Sequence, residues 1–388
     1  MTWQLNFQTT APMWRFIMEA SLKILYITAF PPNHRSGGQT FSLNCISHLA
    51  ENCTIDLLYF SYPDHECEAK EFVRNVKKIS PSFINSVLFP SAFPLFTKRF
   101  SRKVLKYLQK IAPQYDVLYF DFTQVAIYSL FIEHPCKVVR CHDILAQKFS
   151  RQNKFFLSWI KNTERKILKS ASYVFVPSEK DSQIVKSTYG INAAFTNEYL
   201  NEFDFPATIP SKKSFLFFGL WSRNENLLGL IWFIKNVFPH LNSEIKKSLF
   251  VMGGGLSKEN EEKYLKPAGI KYLGFVKDSY KQIVKNSAMV VPLFEGAGVK
   301  VKVLDSFITG TPVVGTDVAF EGIPEIKEMV NLALNAEEFA QTLNSFDPFS
   351  LGQKKANAKL FREIYDKNHL DELLLERVQS KNLNFKET

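Results

Sequence analysis

VPLFEGAGVKVKVLDSFITGTPVVGTD, residues 291–317, has two readings. VKVKV alternates strictly, the pattern of an edge strand with its lysines in water. However, AMVVPLF (288–294) has just supplied a strand, and VLDSFITG continues with helical spacing to a glycine stop at Gly310. The sequence therefore predicts strand, glycine loop, helix. On that reading Lys300 and Lys302 stand where the helix dipole and unpaired N–H groups are already positive, so an anion docked beside Gly298 would offset their repulsion. Asp305, one turn beyond Lys302, is expected to face the same site. A nucleotide diphosphate has the right charge, and its ribose needs an acceptor for its hydroxyls.

Outward from this stretch the chain alternates short β-rich runs with amphipathic segments, the pattern of parallel α/β architecture, and does so twice. The first set of strands is expected at LKILYIT (22–28), TIDLLYF (54–60), INSVLFP (84–90), DVLYFDF (116–122), KVVRCHD (137–143) and SYVFVPS (172–178). The second is expected at SFLFFG (214–219), SLFVMGGG (248–255), IKYLGF (270–275), AMVVPLF and TPVVGTD (311–317). Between them, residues 197–213 carry two prolines and little apolar periodicity, as a linker does. Ser178 and Asp181 are spaced as a capping box.

Other candidates sit at strand ends. Gly37 and Gly38 precede a helix in PPNHRSGGQT, where backbone N–H groups suit a phosphate or sugar hydroxyl, although the GxGxxG dinucleotide fingerprint is absent. RCHDI places Arg140, His142 and Asp143 at a strand's carboxyl end, where open α/β sheets bind ligands. Arg223 follows the first strand of the second set and suits bidentate phosphate binding.

The 388 residues are enough for two cores, and 48 basic against 38 acidic side chains give +10, which favours anionic partners. No dense basic tract or zinc-ligand spacing points to nucleic acid. Five cysteines without a CxxC pair fit reduced cytoplasmic thiols. Residues 1–21 lack the charge pattern of a secretory signal, and LLGLIWFIKNVF is broken by Lys235 and too short to span a bilayer. The basic FPLFTKRFSRKVLKYLQK (93–110) suits peripheral contact with an anionic membrane surface at its inner face.

With SGGQT, RCHDI, FFGLW…N…WF…VFP and, most specifically, PLF-GAGVKVKVLDSFITGTPVVGTD…EGI in view, the chain resembles the glycosyltransferases of family 4, retaining enzymes of the GT-B fold. The resemblance implies two Rossmann-like domains facing across a cleft. The acceptor side falls at 1–205, the nucleotide-sugar side at 206–350, and C-terminal helices at 351–388 cross back. It implies a UDP- or GDP-sugar donor, a glycan or lipid-linked glycan acceptor of the bacterial surface-polysaccharide type, and no metal. Gly37 and Gly38 would lie near the donor diphosphate, and His142 near the transferred sugar. Arg223, Lys300 and Lys302 would neutralise the departing diphosphate, and Asp305 would hold the ribose. Two residues apart on a helix, Lys300 and Lys302 cannot point the same way, and Lys302 is the better placed. Two departures stand out: aspartate replaces the family's glutamate at 305, and the partner glutamate, eight residues earlier, falls at Ala297, with Glu295 nearby but out of register. A non-catalytic sugar-nucleotide or glycan-binding protein on the same fold is the alternative.

Overall fold

The computed structural model describes residues 21–81, 92–152, 155–197, 200–366 and 373–374. Among them two parallel sheets form, each covered by helices on both faces. The first contains β1 (Leu22–Thr28), β2 (Cys53–Phe60), β3 (Asn75–Ile79), β4 (Val117–Asp121), β5 (Lys137–Arg140), β6 (Tyr173–Val176) and β7 (Ala194–Phe195), in the order β3-β2-β1-β4-β5-β6-β7. The second contains β8 (Phe215–Phe218), β9 (Leu249–Met252), β10 (Lys271–Tyr272), β11 (Ala288–Val291), β12 (Val313–Gly315) and β13 (Val330–Leu332), in the order β10-β9-β8-β11-β12-β13. In both, the strand order reverses beside the first strand, between β1 and β4 and between β8 and β11. Crevices for ligands open at such switch points, at the strands' carboxyl ends.

The central strands are largely apolar because both faces are covered. Ile24 and Tyr26 of β1 point into one core and Leu25 and Ile27 into the other, and Tyr26 stacks on Tyr119 with ring centroids 4.6 Å apart. Burying one such side chain stabilises the fold by about 1.5–3 kcal/mol. Of the strands expected from sequence, INSVLFP lies outside the described residues. The strand beside β2 is instead NVKKI, whose exposed lysines protect a sheet edge and carry no hydrophobic alternation to reveal it. At the opening stretch, the structure has β11, a glycine loop and a helix, Val301–Ile308, with Lys300 at its N-cap. The VKVKV alternation is local coincidence, overruled by the apolar spacing that follows.

The helix Leu351–Tyr365 starts with a capping box, Ser350 with Gln353, and packs on the second half, Phe361 meeting Phe307 edge-on at 5.5 Å. Further on, Leu374 is buried in a core of the first half. Lys354 is buried and donates to the carbonyls of Val284 (2.8 Å) and Asn286 (2.5 Å) and to Thr311 Oγ1 (3.1 Å). Burial pulls its amine down to about 7. An unfolded lysine keeps its proton to about pH 10.4, so between these values the unfolded chain binds more protons, and stability rises with pH. Lys354→Met should flatten that rise. It leaves the Val284 and Asn286 carbonyls without that donor, while Thr311 Oγ1 still accepts from Thr309; the cost is about 1–3 kcal/mol, read as a melting-temperature drop at pH 9 that narrows toward pH 7.

Candidate active site between the two halves

The carboxyl ends of the two sheets face each other across a cavity of about 230 Å3. The N-terminal residues of three helices line it: Gly37 and Gly38 of Gly37–Ala50; Arg223, the N-cap of Asn224–Asn236; and Lys300, Val301 and Lys302 at the start of Val301–Ile308. None of the three has a side-chain cap, and the Gly37 and Val301 helices have no acidic residue in their first turn. Unpaired N–H groups and three dipole ends thus converge with three cationic side chains, an arrangement that favours an anion.

The two lysines diverge. Lys302 Nζ reaches into the second half and donates to Asn226 Oδ1 at 2.6 Å. Its burial pulls the amine down to about 7; the Glu225 charge opposes this, while Arg223 and Lys300 add to it. Lys300 Nζ turns back to the carbonyl of Gly298 at 2.6 Å and stands 4.0 Å from Glu321. Burial lowers it too, against the pull of Glu321 and Asp143. Asp305 is not among the lining residues. It sits one turn deeper, where the Tyr280 hydroxyl donates to it at 3.1 Å. Burial pushes its carboxyl up to about 7, tempered by that hydrogen bond. Glu295 and Ala297 both line the cavity.

Opposite, His142 is held by Asp121, with Nε2 to Oδ1 at 2.8 Å, and stacks on Phe122 at 3.8 Å between ring centroids. Burial pushes the Asp121 carboxyl up, but His142, Arg140 and the Ser42 hydroxyl outweigh it and leave it below its ordinary value. Asp121 also accepts from Thr28 at 3.2 Å and Ser42 at 2.5 Å, so its position is fixed from three sides. The contact of Nε2 with that carboxylate turns Nδ1 toward Gly38, where a Cβ would lie 3.7 Å away. Phe122 adopts φ 76°, a backbone conformation rare for a bulky residue and tolerated where the surroundings fix it. Of the RCHDI candidates, Arg140 is buried behind the site, and Asp143 lines the cleft.

The halves touch where they meet. Gly298 has φ 68°, and a Cβ on it would stand 2.4 Å from Asp143 Oδ1. Arg151 of the first half grips Glu321 of the second through both guanidinium nitrogens (2.8 and 2.5 Å) and donates to the Gly296 carbonyl at 2.7 Å. Lys180 reaches the same carboxylate at 2.5 Å. The sequence reading missed Asp121, Phe122, Asn226, Arg151 and Glu321 as site components. Asp121 carried a signal, a carboxylate closing an otherwise apolar strand. The Arg151–Glu321 pair, 170 residues apart, carried none. Among the described residues no group of three or more His, Cys, Asp or Glu side chains is arranged to hold a metal ion.

Two sequence families match the chain: the one described as Glycosyl transferases group 1 over residues 212–346, and Glycosyltransferase Family 4 over residues 35–195. Among curated proteins none matches the sequence. Solved structures similar in fold include the following three. Anabaena HepE, crystallised in complex with UDP, is 15% identical, with 92% of this chain and 100% of that one covered and a TM-score of 0.64. A mutant of S. aureus TarM, in complex with fondaparinux, alpha-GlcNAc-glycerol and UDP, is 11% identical, covered 92% and 99%, with a TM-score of 0.66. WaaG, a glycosyltransferase involved in lipopolysaccharide biosynthesis, is 13% identical, covered 92% and 98%, with a TM-score of 0.63.

Proposed function

This chain belongs to the glycosyltransferases of group 1, family 4, enzymes of the GT-B fold that depend on a nucleotide sugar, and from that premise we propose that it transfers a sugar, with retention, from a UDP- or GDP-sugar to a glycan or lipid-linked glycan in surface-polysaccharide synthesis. The observation that carries the reading is the convergence of three uncapped helix N-termini with Arg223, Lys300 and Lys302 on one cleft. In the reaction the bond between the anomeric carbon and the diphosphate oxygen breaks and one to the acceptor oxygen forms. The acceptor's proton leaves with the nucleoside diphosphate or to water. Lys302 and Arg223 stabilise the charge that grows on the departing diphosphate. His142, fixed by Asp121, offers Nδ1 to a hydroxyl of the transferred sugar. Gly37, Gly38 and Gly298 let backbone come close to the donor. Asp305, given the ribose by the family resemblance, lies outside the cleft lining and is held by Tyr280, so it reaches a ribose only if that contact opens.

The Anabaena HepE structures in complex with UDP and with UDP-glucose support testing uridine donors first. WaaG's part in lipopolysaccharide biosynthesis supports a cell-surface glycan as acceptor. No helix of the described residues is long and apolar enough to cross a membrane; the basic segment 93–110 supports peripheral contact from the cytoplasmic side. Melting-temperature screens against UDP- and GDP-sugars, followed by release of free nucleotide, test the reading. A raised melting temperature with slow donor hydrolysis is expected. Tight nucleotide binding without turnover, even with acceptor extracts, would favour the non-catalytic binder.

Donor binding should also take up a proton. A diphosphate beside Lys302 raises its amine from about 7, so below pH 7 the proton is already present and above it must be acquired. Affinity for the donor, whose phosphodiesters do not titrate here, should fall by up to about tenfold per pH unit above 7. Calorimetry at pH 8 in buffers of different ionisation enthalpy should show uptake approaching one proton, lost in Lys302→Met.

A further inference from the structure

A second pocket, of about 730 Å3, opens at the carboxyl ends of β2 and β3 and is lined by Ser61, Tyr62, Lys78, Lys98 and Arg99, with Asp64 as its single carboxylate. Arg99 is held from behind. Its Nε donates to the Ala29 carbonyl at 2.8 Å, and its guanidinium lies 4.4 Å from the centroid of the Phe30 ring. Among the described residues no carboxylate forms an ion pair with it. A guanidinium so placed has its stem fixed and its outer nitrogens left for an anion, and it keeps its charge at any working pH: burial lowers it only to about 10.

A run of ring contacts links this pocket to the catalytic cleft. Phe30 meets Tyr62 at 5.6 Å and Phe122 at 5.2 Å between ring centroids, and Phe122 stacks on His142. These rings join the histidine of the cleft to the cationic pocket through direct contacts.

We propose that this pocket binds a phosphate group of the acceptor, so that the acceptor is a phosphate-bearing saccharide whose sugar lies along Phe30 and Phe122 while Arg99, Lys78 and Lys98 hold its phosphate. The inference rests on the glycosyltransferase reading, and the phosphate belongs either to a lipid-linked saccharide or to a free sugar phosphate. Three cations against one carboxylate, on the side of the cleft away from Lys300 and Lys302, separate this anion site from the donor's.

The test uses the full chain saturated with UDP, so that the donor site is filled, and saturation-transfer NMR with glucose 1-phosphate, an alkyl glucosyl phosphate in micelles, glucose and glucuronate. Binding is expected for a phosphate and not for glucose: the alkyl phosphate alone identifies a lipid-linked acceptor, and both phosphates alike a free one. Lys78→Glu with Lys98→Glu, both exposed positions, should weaken phosphate binding about tenfold or more without altering the melting-temperature rise given by UDP, and Arg99→Gln should do the same. Equal binding of glucose, preference for glucuronate, or phosphate affinity unchanged by the double charge reversal overturns the proposal. If UDP fails to raise the melting temperature of the wild type, the donor reading falls instead, and phosphate binding lost on charge reversal would stand without it.

Discussion

Lys302→Ala should lower sugar transfer by about a hundred- to a thousandfold while the protein folds normally. The amine sits between Asn226 and the start of its own helix, where a departing diphosphate would meet it. Removing one preorganised group aimed at charge that develops in the transition state costs about 2.7–4 kcal/mol in enzymes where this has been measured. Burial already disfavours the charged amine in the empty cleft, so the substitution should leave the melting temperature without ligand unchanged or slightly raised. The rise given by UDP should shrink. Transfer within threefold of wild type would remove Lys302 from the mechanism.

Gly37→Ala should lower transfer by about tenfold or more, and Val301→Ala in the same molecule should restore much of it. A Cβ at Gly37 would stand 2.3 Å from Val301 Cγ2, across the line between the halves. Val301 is β-branched and sits at the first turn of its helix, so it has little rotamer freedom with which to move aside. Overpacking of this kind costs about 1–3 kcal/mol. Here the strain is relieved by opening the cleft rather than by unfolding either half, so kcat/KM should fall more than stability does. Val301→Ala removes Cγ2 and leaves a Cβ contact of 3.0 Å, which a small shift accommodates. A double-mutant cycle gives the coupling. Additive effects would mean that the Gly37 and Val301 loops do not meet in the active state.

Much of this was legible in the chain itself. Largely apolar strands such as LKILYIT and AMVVPLF pointed to two parallel sheets, because strands covered on both faces need no polar side. Lysines placed at a helix start against the dipole raise the expectation of an anion, and the structure gathers both of them with Arg223 on one cleft. β3 was hidden because an edge strand is polar on both faces. The depth of Asp305 was hidden because helical spacing fixes a side chain's angle around the axis but not which neighbour it meets. That neighbour, Tyr280, comes from a different segment of the chain. Glu321 as the meeting point of Arg151, Lys180 and Lys300 depends on how the two halves close, and no local pattern encodes that.

The central claim is that a nucleoside diphosphate completes the cationic cleft between the halves, and crystals grown with saturating UDP or GDP test it most directly. The account predicts diphosphate oxygens about 3 Å from Lys302 Nζ and from backbone N–H groups at the start of the Val301 helix. A nucleotide bound outside the cleft, or a cleft left empty at saturation, would contradict it.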